Sequence, residues 1–151
     1  MSVDEEIRHG DEAYLAKHEI KELMSAMLRE VVTRKPLDPV QYLVDYLSMD
    51  PARAAQDANG LSAYRRGKLL DVFKAMDADG DGKVTLDECR GFTSKHGGHV
   101  LSEEEVANIF GDVDSSMDSL IDEEEFAAFF ARSMRALSNE EFDRVIADML
   151  L

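Results

Sequence analysis

Residues Asp77–Glu88 read DADGDGKVTLDE. Acidic side chains stand at the first, third and fifth places (Asp77, Asp79, Asp81), with Gly82 sixth, Val84 eighth, Thr85 ninth and Glu88 twelfth. A hard cation such as Ca²⁺ takes about 6–8 oxygens at ~2.3–2.6 Å. Alternate residues of a tight loop point three carboxylates at one centre. Lys83 offers its backbone carbonyl, Thr85 acts directly or through a water, and Glu88 gives both oxygens from the first turn of the next helix. Gly82 supplies the left-handed backbone of the sharp turn. Without a cation, carboxylates this close repel one another, which a plain acidic turn has no reason to accept.

At every position the segment resembles the EF-hand loop, a specific signal. Phe73 and Met76 precede the loop at the core positions of an entering helix, and Val84 is the apolar residue expected to bridge to a second loop. EF-hands come in pairs, so the resemblance implies another downstream. It follows at GDVDSSMDSLIDEEEF, where two registers compete. A start at Asp112 puts Met117 sixth and Ser119 eighth. A start at Asp114 puts Ile121 eighth and Glu125 twelfth, and sets Phe110 and Val113 where Phe73 and Met76 stand. The second register is the better one. Its ligands are Asp114, Ser116, Asp118, the Leu120 carbonyl, Asp122 (directly or through water) and Glu125. Ser116 replaces an acid and Ser119 replaces the glycine, so two Ca²⁺ sites are expected, the second weaker. The other reading of this loop is a structural hand that only pairs Ile121 with Val84.

Composition agrees with cation binding. The 151 residues carry 32 acids against 17 lysines and arginines, a formal charge of −15. That argues against nucleic acid and anionic membranes as partners. The single cysteine, Cys89, excludes an internal disulfide, as in a reducing compartment. No apolar run approaches a membrane span, and the start MSVDEEIRHGDEAYL lacks a signal-peptide core, so the expected location is cytoplasmic. His96-Gly97-Gly98-His99 reads as a glycine-rich linker between the loops rather than a metal site.

Upstream, residues 1–10 are polar and read as frayed. One amphipathic helix is then expected from Tyr14 to Val32, with Ile20, Leu23, Met24, Met27, Leu28 and Val31 at helical spacing. Lys35-Pro36 ends it. Asp38 caps a second helix, with Pro39 at its first position, Gln41 completing a capping box and Leu37 stapled onto Tyr42. Val40, Leu43, Val44 and Leu47 form its apolar face. A hairpin this small needs a partner. Two copies in a four-helix bundle would supply one, and so would the C-terminal half of the same chain.

The segment YLAKHEIKELMSAMLREVVTRKPLDPVQYLVDYLSM (14–49) resembles the RIIa-type dimerization and docking domain, most of all in RKPLDPVQYLVDYL. The resemblance implies an antiparallel four-helix homodimer over residues 12–49. Ile20, Leu23, Met27, Val31, Val40, Leu43, Val44 and Leu47 would be its core. Met24, Leu28 and Val32 would line a groove for an amphipathic helix of a protein partner, with Lys21 and Ser25 at its edge. Plain core is the alternative for the Met24/Leu28/Val32 row. Residues 50–61 read as a linker and 62–136 as the EF-hand pair. Residues 138–151 read as an amphipathic helix, capped by Ser138 and Glu141 and carrying Phe142, Val145, Ile146 and Met149. That helix either fills the groove of the hands as a built-in ligand or is constitutive core.

The expected architecture is all-α: hairpin, paired EF-hand lobe, C-terminal helix. The order of modules is similar to the small family of EF-hand calcium-binding domain-containing protein ten, whose members are associated with cilia and flagella. The expected function is a Ca²⁺-responsive, non-catalytic adaptor. The alternatives are a Ca²⁺ buffer or structural EF-hand protein without a switch, and a regulatory subunit of an enzyme complex. No nucleophile–base pair, phosphate loop or catalytic zinc motif stands in the sequence.

Overall fold

The computed structural model describes residues 2–96 and 102–151. Among them are nine helices and one two-stranded sheet, so the all-α expectation holds. Gly97, Gly98 and His99 of the glycine-rich linker lie outside the described residues.

Helix α1 (Val3–Lys17) occupies the polar start that was expected to fray. Ser2 and Glu5 form a reciprocal capping box at its head, which stabilises the first turn. It does not run on into α2 (Ile20–Arg34), because Glu19 takes a left-handed conformation (φ 52°) between them. The single helix expected from Tyr14 to Val32 is therefore two helices. Neither glycine nor proline marks the break.

Helix α3 (Pro39–Ser48) starts as expected, with the Asp38 side chain accepting from the Gln41 N–H. The capping box does not close. Gln41 turns its amide to Asp45 at 2.9 Å, and Gln56 holds the Asp38 backbone instead. The Gln56 side chain accepts from the Asp38 N–H at 3.0 Å and donates to its carbonyl at 2.8 Å. The linker is thus pinned to the head of α3, and it contains the short helix α4 (Pro51–Ala54). Leu37, expected to staple onto Tyr42, lies against the turn at Gly60. Gly60 is left-handed (φ 76°), and a Cβ there would come within 3.3 Å of Leu37.

Two helix–loop–helix units follow. Helix α5 (Ala63–Met76) enters the first loop, β1 (Lys83–Val84) lies within it, and α6 (Leu86–His96) leaves it. Helix α7 (Glu103–Val113), β2 (Ile121–Asp122) and α8 (Glu123–Ser133) repeat the pattern. The strands pair antiparallel with Val84 opposite Ile121, the register expected from the eighth loop positions. Phe73, Met76, Phe110, Val113 and Phe126 are buried in one core. Each contributes about 1.5–3 kcal/mol by leaving water. Phe73 and Phe126 meet edge-on at 5.5 Å.

Helix α9 (Asn139–Leu150) carries the expected Ser138/Glu141 capping box. Phe142 (0% exposed) and Ile146 belong to the core, packed beside α5. Two polar clamps hold the same side. Tyr64 and Lys68 of α5 donate to Asp143 at 2.6 and 2.7 Å. Both readings of this helix, built-in ligand and constitutive core, place its apolar face against the lobe, as Phe142 and Ile146 do.

Candidate metal centre

The two loops share one hydrogen-bond network, position by position. Asp77 Oδ2 accepts from Gly82 N–H at 2.8 Å, and Asp114 Oδ2 accepts from Ser119 N–H at 2.9 Å. Asp77 Oδ1 takes Asp81 N–H at 3.2 Å, and Asp114 Oδ1 takes Asp118 N–H at 3.3 Å. The fifth-place carboxylates turn the chain next, Asp81 accepting from Lys83 N–H and Asp118 from Leu120 N–H. At the twelfth place, Glu88 accepts from the N–H groups of Asp79 and Thr85, and Glu125 from those of Ser116 and Asp122. Thr85 and Asp122 do the same local work, each accepting the N–H of its twelfth-place glutamate at the start of α6 or α8. Folded this way, carboxylate oxygens converge for reasons local to each loop, those of the first, third and fifth places in the first loop and of the first, fifth and twelfth in the second.

The convergence produces an oxygen-rich cluster in each loop. Asp77, Asp79 and Asp81 each place one carboxylate oxygen within 4.8 Å of the others, as do Asp114, Asp118 and Glu125. A donor set of carboxylates, hydroxyls and carbonyls, with no nitrogen or sulfur, suits a hard divalent cation. The residues present fit Ca²⁺. Lys83 lies in β1 and Leu120 just before β2, so their backbone carbonyls belong to the loops, and Lys83 itself is half-buried.

Charge crowding is visible at Asp79. The Asp81 N–H lowers its pKa, but desolvation and the charges of Asp81 and Glu88 outweigh that and leave it raised. Glu88 is lowered, chiefly by the Thr85 N–H. Partial burial pushes Glu125 up, yet donors from Asp122 and Ser116 prevail and hold it below the ordinary glutamate range.

Two residues of the second loop escaped the sequence reading or were only half seen. Ser119 is left-handed (φ 66°), matching Gly82 (φ 84°) as expected. Met117 is left-handed as well (φ 57°), matching Gly80 (φ 72°). Alignment of the fourth loop positions carries that signal: glycine in one loop, methionine in the other. Arg66 is a further addition. It donates to Asp57 at 2.7 Å and pairs with Glu123 and Glu124 of the second loop. The Asp57 hydrogen bond is the main reason its pKa is raised.

Beside the paired loops lies an apolar cleft of about 700 Å³. It is lined by Val72 and Met76 of α5, Cys89 and Phe92 of α6, Ile109 and Phe110 of α7, Phe126 and Phe130 of α8, and Val145 and Met149 of α9. Helix α9 therefore borders the cleft and does not plug it. Burial raises the Cys89 thiol pKa, as befits a small core residue.

On the hairpin, Lys21, Met24, Ser25, Leu28 and Val32 lie together on the exposed side of α2. Leu28 is 66% exposed. On α3, Tyr42 and Asp45 are fully buried, while Val40 (73% exposed), Val44 and Leu47 face solvent. Ile20, Met27, Val31 and Leu43 are half-buried.

Residues 66–131 match the family model of the EF-hand domain pair. Over 62 residues the chain is 41% identical to "Calcium-binding allergen Ole e 8" of Olea europaea, covering 41% of this chain and 36% of that protein. It is 36% identical over 77 residues to "Calcium-binding protein CML37" of Arabidopsis thaliana, covering 51% and 41%. It is 34% identical over 87 residues to "Calcium-dependent protein kinase 3" of Oryza sativa subsp. japonica, covering 58% and 16%. The chain spans less than half the length of these curated relatives.

Proposed function

The chain carries a calcium-binding EF-hand pair, and from that premise we propose that it is a non-catalytic, Ca²⁺-responsive adaptor. In this reading residues 12–49 form a homodimer and dock an amphipathic partner helix, while the lobe binds Ca²⁺ and alters a second contact. The observation that carries it is the pairing of two surfaces in one chain. One is the cleft bordering the loops. The other is the exposed apolar surface of the hairpin, Met24, Leu28 and Val32 on α2 and Val40, Val44 and Leu47 on α3. Exposed apolar rows of this kind are what an interaction site offers. The hairpin face offers what a second copy needs to complete a four-helix bundle.

Asp77, Asp79, Asp81, Thr85, Glu88 and the Lys83 carbonyl would hold Ca²⁺ in the first loop. Asp114, Ser116, Asp118, Asp122, Glu125 and the Leu120 carbonyl would hold it in the second. The ion would supply the positive charge that the crowded carboxylates lack. The second site is the weaker one, because Ser116 brings a hydroxyl where Asp79 brings a charge. Sensor hands open on Ca²⁺ and expose an apolar groove, whereas buffer hands barely open. A ciliary or flagellar setting is supported by the resemblance of the module order alone. The partial match to a calcium-dependent protein kinase supports a second reading, in which the hands serve as the regulatory subunit of an enzyme complex.

Light scattering on the whole chain, with Ca²⁺ and with chelator, tests the dimer. A mass of two chains in both conditions is expected, and a mass of one chain in both overturns the docking reading. Fluorescence of an apolar dye in the same two conditions tests the switch. A Ca²⁺-dependent rise is expected, and equal signals would make the lobe a buffer or structural element.

A further inference from the structure

Hairpin and lobe meet through a buried polar cluster. Asp45 on α3 accepts at Oδ1 from Gln41 Nε2 (2.9 Å) and from Asn139 Nδ2 (2.7 Å), and its Oδ2 has no hydrogen-bond partner. Asn139 Oδ1 in turn accepts from Arg65 Nε at 2.8 Å. Arg65 is buried. It donates to the Met134 carbonyl at 3.2 Å and the Leu137 carbonyl at 2.6 Å, and lies 5.0 Å from the Phe142 ring centre. Desolvation lowers the Arg65 pKa, partly offset by the charge of Asp45.

A buried ion with an unpaired oxygen is costly, and well-packed apolar residues are often as stable as a buried ionic cluster. The arrangement supplies connection instead. Helix α3, the first turn of α5, the end of α8 and the first residue of α9 all meet here. Helix α5 enters the first loop and α8 leaves the second. Their ends at Arg65 and Met134 are those remote from the loops, where a change of interhelical angle gives the largest displacement. Arg135 also reaches Asp38 at 3.3 Å, but that pair is largely exposed on the arginine side and contributes little.

We propose that Arg65, Asn139 and Asp45 form a latch that ties the hairpin to the remote ends of α5 and α8. Through it, rearrangement of the lobe on Ca²⁺ binding reaches α3 and the apolar face beside it. The latch rests on the Ca²⁺-responsive reading above. Asn139 is its middle link and is not a metal ligand. Asn139→Ala removes both contacts. Asn139→Asp keeps the acceptor for Arg65, loses the donor to Asp45, and suits the first turn of a helix.

The test is hydrogen exchange of the α3 backbone amides in the full chain, with saturating Ca²⁺ and with chelator. Ca²⁺ binding is followed by calorimetry on the same samples. In the unaltered protein, Ca²⁺ is expected to change α3 exchange by about tenfold, the equivalent of one hydrogen bond to a charged group. In either Asn139 variant the change should fall to about twofold or less with binding retained. Unchanged α3 exchange in the unaltered protein, with binding heat present, overturns the latch and leaves the Ca²⁺ reading standing. Equal responses in variants and unaltered protein also overturn it. Absence of binding heat in the unaltered protein overturns both.

Discussion

Replacing Ser119 with glycine should stabilise this protein, and the size of the gain follows from its backbone. Ser119 sits at φ 66° and Met117 at φ 57°, where the first loop has Gly82 and Gly80. A side-chain-bearing residue in this region costs about 1–2 kcal/mol, because its Cβ crowds the following carbonyl oxygen. Glycine adds conformational freedom to the unfolded chain, which takes back about 0.4–1 kcal/mol. The net gain is ~0.5–1 kcal/mol for each position. The Ser119 N–H would still reach Asp114, since that bond involves only the backbone donor. For a chain of this length, ~1 kcal/mol corresponds to a Tm rise of 2–4 °C. Thermal unfolding in chelator, followed by far-UV circular dichroism, reads it directly. Ser119→Gly should raise Tm, Met117→Gly/Ser119→Gly should raise it further, and the reverse change Gly82→Ser should lower it. If Ser119→Gly leaves Tm unchanged or lowers it while Gly82→Ser is harmless, the second loop does not carry the strain assigned to it.

Glu88→Gln should weaken the first Ca²⁺ site by an order of magnitude or more while sparing the second, and Glu125→Gln should do the reverse; calorimetry on each variant resolves the two. Arg65→Met should destabilise the chain by about 3 kcal/mol, because the carbonyls of Met134 and Leu137 and the Asp45 carboxylate lose their donor or counter-charge. Urea unfolding measures that loss. Stability should also fall in acid. Glu88, Glu125 and Glu141 have folded-state pKa values below the ordinary 4.5, so each favours the fold above that pH and loses its contribution as pH drops through the lowered value. A urea midpoint in chelator that stays constant from neutral pH to well below 4.5 would contradict these shifts.

Several features that organise the lobe were legible in sequence because they are short-range. Twelve contiguous residues determine each loop, so the Asp114 register and the Val84–Ile121 pairing could be read from spacing. The box at Ser138/Glu141 lies within four consecutive residues and formed as read. Gln41 shows where that logic stops. Its local partner was the Asp38 backbone, but Gln56 arrives from the linker and Asp45 from the next turn, and both bonds displace the box. The break at Glu19 has no breaker residue beside it, and so no local mark.

The sequence by itself determined where cation-binding oxygens converge, because loop geometry depends on neighbours in the chain. Tertiary structure alone decided which side of α3 turns inward. Tyr42 and Asp45 are buried against other parts of the chain, and the apolar row at Val40, Val44 and Leu47 is left outside. It also decided that α9 packs beside α5 and walls the cleft, and that Asp45, Arg65 and Asn139 meet. Periodicity says that a helix has an apolar face, but not what will cover it. That choice depends on which distant surfaces can be brought into contact with their polar groups satisfied.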